Sequence, residues 1–169
     1  MKNFKDLTLR GQKMRIVNDA IKQIESGIIK AQQDIYFAQV HEEDLYRKGS
    51  LKKILETANT TVCEACAKGT LFVACVLNVN KVDIDNYRVT EESFQTKKLS
   101  KWFSAKELDM IETAFEQAII RDSTNCLQTE YRYTDLAHRC IKFGCKYKTD
   151  KKRMLAILNN IAVNGEFKP

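Results

Sequence analysis

The chain has 169 residues, 30% of them charged and 44% hydrophobic, and carries a net charge of +6 at pH 7. That size supports one domain with a core of its own, and the balance of apolar and charged residues excludes a disordered or fibrous chain. The one proline is Pro169 and the six glycines stand singly, so little interrupts long helices and an all-α fold is expected.

Residues 1–11 are polar and lack the apolar centre of a signal peptide. They read as a loose arm on a single cytoplasmic domain spanning 1–169. In KMRIVNDAIKQIESG and the residue after it, Val17, Ala20, Ile21, Ile24 and Ile28 recur at three and four, which predicts an amphipathic helix stopped near Gly27. The next stretch, IIKAQQDIYFAQV, fits neither period and reads as a short strand or an extended connector. From His41, HEEDLYRKGS has the composition of a solvated helix ending near Gly49. Ser50 then caps a piece with Leu51, Ile54, Leu55 and Ala58 on one stripe.

Thr61 to Asn78, TVCEACAKGTLFVACVLN, is the most hydrophobic segment and nearly free of charge. No face of it can meet water without exposing Leu71, Phe72, Val73, Val76 or Leu77, so it is expected to be the buried central helix. Glu64, Lys68 and Gly69 make it a poor membrane span. Thr61 with Glu64 has the form of a capping box, and Ala65 with Gly69, small and four apart, would let another helix cross closely. NVNKVDIDNYRVTEES follows, with loose alternation at Val79, Val82 and Ile84. It reads as a loop, or as a strand paired with Ile35 to Val40.

LSKWFSAKELDMIETAFEQAII carries a second capping box, Ser104 with Glu107, and a stripe of Leu108, Ile111, Phe115, Ala118 and Ile119. Trp102 or Phe103 is placed to fold back as a hydrophobic staple. Asp122 to Gln128 is polar and loop-like. Thr134 or Asp135 caps a helix with Leu136, Ala137, Cys140 and Ile141 on one face, ending at Gly144. Thr149 or Asp150 starts the last helix, whose stripe is Met154, Ile157, Leu158 and Ile161 and whose stop is Gly165. The expected architecture is a bundle of about six helices around Thr61 to Asn78, with room for a minor β element near Ile35 and Val82.

Charge is unevenly spread. From Glu130 to Arg153 eight cations face three carboxylates, which leaves +5 of the chain's +6 in this segment. Tyr131, Tyr133, Phe143 and Tyr147 are interleaved with the cations. Arg132, Arg139, Lys142, Lys146, Tyr147, Lys148, Lys151, Lys152 and Arg153 are therefore the candidate binding surface, for nucleic-acid phosphates and bases or for an acidic protein. The bland alternative is a solvated helix face. Lys151 and Lys152 sit at a helix start, where the dipole disfavours cations, and this favours a functional role. A smaller cluster, Lys97, Lys98 and Lys101, precedes Trp102.

Cys63 and Cys66 form a CxxC, and His138, Cys140 and Cys145 an HxCx4C, a donor set of tetrahedral-zinc type. A single CxxC occurs often by accident, and cysteine in an apolar helix behaves as a small hydrophobe, so buried thiols are favoured over a metal site and no cofactor is expected. A thioredoxin-like role lacks its strand pattern. HExxH, GxSxG, P-loop and GxGxxG motifs are absent. Asp83 and Asp85 resemble the opening of a calcium loop without its glycine or its closing glutamate. His41 and His138 read as surface or packing residues, and no catalytic residue is assigned.

Three blocks, TVCEACAKGTLFVACV, LSKWFSAKELDMIETAFEQ and DKKRMLAILNNIAVNGEFKP, together resemble an uncharacterised family of small bacterial and phage-associated proteins. In that family a Gly-bearing cysteine helix precedes an FSxxxLxxIExAFE helix and a closing LxxIxxNIxxNGxFxP segment. Where its members often carry CxxGAL, this chain has Cys66-Ala67-Lys68-Gly69-Thr70-Leu71. The resemblance implies a shared architecture and a mobile-element setting. With the basic segment it leads to the expectation of a non-catalytic inhibitor of a bacterial defence nuclease, of anti-CRISPR type, acting on a protein effector or its RNA. The alternatives are a zinc-stabilised regulatory domain that binds nucleic acid and a small enzyme of another kind.

Overall fold

The computed structural model describes residues 3–33, 63–79, 92–118 and 134–169. The expected loose arm is ordered where it is described. Phe4–Asp6 form a 3-10 turn, and α1 (Leu9–Glu25) begins before Gly11 because the Thr8 hydroxyl accepts from the Gly11 N–H at 3.1 Å. Phe4 packs edge-on against Trp102, with ring centroids 6.0 Å apart. α1 buries Ile16, Val17, Ala20 and Ile24, and Gly27 ends it at φ 77. That left-handed turn, easy for glycine, leaves Ile28 exposed and sends Ile29 inward.

β1 (Ile29–Ala31) pairs in parallel with β2 (Cys63–Ala65), Ile29 opposite Cys63 and Ala31 opposite Ala65. This short sheet corrects the start of the central helix. α2 runs from Ala67 to Val79, so Glu64 lies in a strand and not in the first turn of a helix, bound to Lys30 of the neighbouring strand at 2.6 Å, while its expected capping partner Thr61 lies outside the described residues. Cys66 supplies the cap instead. Its Sγ accepts from the Gly69 N–H at 3.4 Å and its carbonyl from the Thr70 N–H at 2.9 Å. Ala65 belongs to the sheet, and the small-residue helix face proposed for Ala65 and Gly69 is not made. Pairing between Ile35–Val40 and the segment around Val82, and the helices expected over 41–60, lie outside the described residues.

α2 is the core of an all-α bundle. Every residue from Ala67 to Val76 is buried, and α1, α3 (Glu92–Leu99) and α4 (Ala105–Glu116) pack around it. Such enclosure requires its one cation to be paired, because an isolated buried ammonium costs several kcal/mol or more. Lys68, 1% exposed, bonds Glu112 of α4. Only Glu92 and Ser93 of α3 fall in the stretch that the sequence reads as loop, and residues 94–98 carry no helix signal of their own. α3 buries only Gln95 and Leu99 among the side chains described on it, too short a stripe to stand out by periodicity.

α4 begins at Ser104, whose hydroxyl accepts from the Glu107 N–H at 3.1 Å. The reciprocal half of the capping box is missing. The Glu107 carboxylate accepts from Lys13 at 2.7 and 2.9 Å and from the Phe167 N–H at 3.0 Å, which clasps the segment after α6 (Asp150–Asn164) to α1 and α4. At its other end, α4 offers the carbonyls of Phe115 and Glu116 to Gln33 Nε2 at 2.7 and 2.9 Å. α5 (Asp135–Cys145) crosses α4 at Gly144, where a Cβ would come within 1.9 Å of the Ala114 carbonyl oxygen. Gly144 is thus required by a close crossing; the cap expected of it lies at Lys146. Among the described residues no helix is long and apolar enough to cross a membrane.

Candidate interaction surface

α5 and the start of α6 bring most of the candidate cations together. Thr134 caps α5 by accepting from the Ala137 N–H, and Thr149 caps α6 by accepting from the Lys152 N–H, each at 3.3 Å. α5 turns Cys140 and Gly144 into the core. At about 100° per residue, Arg139, Lys142 and Lys146 fall within an arc of roughly 60° on the opposite side, over roughly 10 Å of helix. All three are exposed, and so are Lys148, Lys151 and Lys152 in the turn and first turn beyond. Asp135 is the one carboxylate exposed along 134–153, since Asp150 is partly buried.

Arg153 does not belong to this surface. It is 1% exposed, and its guanidinium donates to the Gly144 carbonyl at 3.3 Å, the Tyr147 carbonyl at 3.2 Å, the Phe115 carbonyl at 3.5 Å and Asp150 Oδ1 at 2.9 Å. Asp150 Oδ2 accepts in turn from the Gln33 N–H at 3.2 Å. One buried cation therefore ties the ends of α4 and α5 to the start of α6, with its charge answered within the fold. A partial signal for it exists in the sequence, an Asp and an Arg three apart in the first turn of a helix. The carbonyls of Phe115 and Gly144 complete the site, and only tertiary packing supplies them.

The aromatic part of the surface is also corrected. Tyr147 and Phe143 are half-buried, with ring centroids 5.6 Å apart, and Phe143 meets Phe167 edge-on at 5.2 Å. Lys146 Nζ lies 5.6 Å over the Phe143 ring. These rings pack α5 and the C-terminal segment onto the bundle, and they do not form an open platform. Tyr131, Arg132 and Tyr133 lie outside the described residues.

The smaller basic cluster is at the other end of α4. Lys97 and Lys98 close α3, and Lys101 stands in the turn ahead of Ser104, its Nζ 5.2 Å from the Trp102 ring centroid. The Lys148–Lys152 corner adjoins the carbonyls at the C-terminal end of α4, held there by Arg153. Roughly 15 Å of helix separates the two ends, so the clusters are distinct.

The cysteines occupy separate places. Cys63 is in β2, Cys66 caps α2, Cys140 is buried on α5 and Cys145 is partly buried at its end, while His138 is exposed. Among the described residues no group of three or more His, Cys, Asp or Glu side chains is placed to hold a metal ion. Burial pushes the Cys66 and Cys75 thiols up to about 12 and raises Cys140 as well, so these groups stay protonated and are poor nucleophiles at neutral pH. Comparison of the chain with protein-family models, with curated proteins and with solved structures finds no match.

Proposed function

We propose that this chain is a non-catalytic binding protein that docks the α5–α6 corner on an anionic macromolecular partner. The observation that carries the reading is the segregation of charge there. Along residues 134–153 six cations, Arg139, Lys142, Lys146, Lys148, Lys151 and Lys152, are exposed with one exposed carboxylate, while the neighbouring Arg153 is withdrawn into the core. Like charges held this close repel one another, and an anionic partner relieves that repulsion. The corner is also held firmly, by two hydroxyl caps and by the Arg153 network, so little order has to be gained on binding.

The bacterial and phage setting implied by the sequence resemblance makes a cytoplasmic defence nuclease of CRISPR type the first effector to test. The chain is expressed in a panel of hosts, each with one active defence nuclease and an incoming plasmid that it restricts. The expected result is restored transformation in at least one host with the wild-type chain, and none with Lys146→Glu, Lys148→Glu, Lys151→Glu and Lys152→Glu combined. Restoration by neither protein overturns the defence setting, and equal restoration by both overturns the basic corner as the docking surface.

A further inference from the structure

The corner's surroundings narrow what it docks on. Stable protein interfaces place aromatic or aliphatic anchors at a desolvated centre, with charges at the rim. Among the described residues the exposed large hydrophobic side chains are Leu9, Ile28 and Val163, and none lies in α5, the α5–α6 turn or the first turn of α6. Base readers and stacking proteins present open aromatic faces. Here Phe143 is engaged by Phe167, Tyr147 and the Lys146 ammonium. What the described residues offer here is a set of exposed ammonium and guanidinium groups on a firmly held backbone, with no fully exposed large apolar side chain and no open aromatic face among them.

Resting on the docking function proposed above, we infer that the chemistry recognised is the phosphodiester backbone of a nucleic acid, held through its phosphates without reading bases. Affinity then comes from counterion release as the six cations neutralise phosphates, so it is independent of sequence and falls steeply with salt. Arg153 adds nothing to that salt dependence, because Asp150 and three carbonyls already hold it.

The test is fluorescence anisotropy of the full chain with an oligo-U RNA, a mixed-sequence RNA and a mixed-sequence DNA duplex, between about 50 and 200 mM salt. The two RNAs are expected to bind within about threefold of one another, with a log K against log salt slope near about −4 for six neutralised phosphates. The duplex arm reports whether the backbone preferred is single-stranded RNA or double-stranded DNA, and either preference supports the inference. The four Lys→Glu substitutions should weaken binding by about tenfold or more and flatten the slope, with an unchanged melting temperature showing that the fold persists. Absence of binding, a tenfold preference between the two RNAs, or an unchanged affinity in the variant overturns it. Charge-dependent restoration in the host assay without nucleic-acid binding would overturn this inference alone and leave docking on a protein face of the effector. Nucleic-acid binding without restoration would overturn the defence setting alone.

Discussion

α2 and the α5–α6 corner are both helical, yet they use the same residue types for opposite ends. In α2 burial runs unbroken from Ala67 to Val76, and its one cation, Lys68, is consumed by an ion pair. In α5 only Cys140 and Gly144 are buried, and Arg139 and Lys142 on its outer face and Lys146 at its C-terminal cap are exposed. The difference separates cations that hold the fold from cations free to meet a partner. Arg153, one residue after Lys152, falls on the first side of that division.

The comparison breaks most severely if α2 loses volume. Phe72 is fully buried, and Phe72→Ala should cost about 3–5 kcal/mol in a urea melt through lost burial and the cavity left behind. A loss below about 1 kcal/mol would mean that α2 is not the centre of the core. Next comes Arg153→Met. Removing a buried cation strands several carbonyls, so the variant should lose about 2–4 kcal/mol, less than for a fully enclosed pair because Asp150 remains partly hydrated. Reversal of Lys151 or Lys152 should change stability by less than about 0.5 kcal/mol, so equal effects at 152 and 153 would erase the distinction.

The smallest effect is read in the thiols. Cys66 at the cap of α2 and Cys75 within it should resist alkylation at pH 8 while the partly exposed Cys145 reacts before either of them, as mapped by mass spectrometry. Their folded pKa values lie above the unfolded ones. The stability they contribute is therefore complete below the ordinary thiol value of 9.0 and is lost as pH rises toward about 12, because only the unfolded thiols ionise in that window. Wild type should consequently lose more stability between those limits than Cys75→Ala, and equal losses would show that the thiol is not held in the core.

Helix identity was largely legible. The stripes Leu108, Ile111, Phe115 and Met154, Ile157, Leu158, Ile161 are buried as their spacing requires, and Ser104, Thr134, Thr149 and Gly165 act as the start and stop signals they appear to be. The beginning of the central helix shifts from the expected Thr61 to Ala67 because Cys63–Ala65 meets a partner strand distant in sequence, and local capping residues carry no trace of that pairing. α3 leaves no periodic signal in the sequence, because its described buried side chains, Gln95 and Leu99, make a stripe too brief to register. The basic segment was legible as a concentration of charge. Which of its members face solvent was not.

By itself, then, the sequence determined the helical class, the enclosure of the segment around Leu71 to Val76, and the accumulation of cations between residues 130 and 153. Each follows from local periodicity or composition, which a linear chain displays directly. Tertiary structure alone decided that Arg153 is a structural bolt while Lys151 and Lys152 stay outside, that Glu107 serves Lys13 and Phe167 in place of its own cap, and that Gly144 marks a crossing. The physical reason is common to all three. Carbonyls, carboxylates and backbone from elements far apart in sequence converge on one side chain, and the energy of that convergence exceeds what any local signal offers.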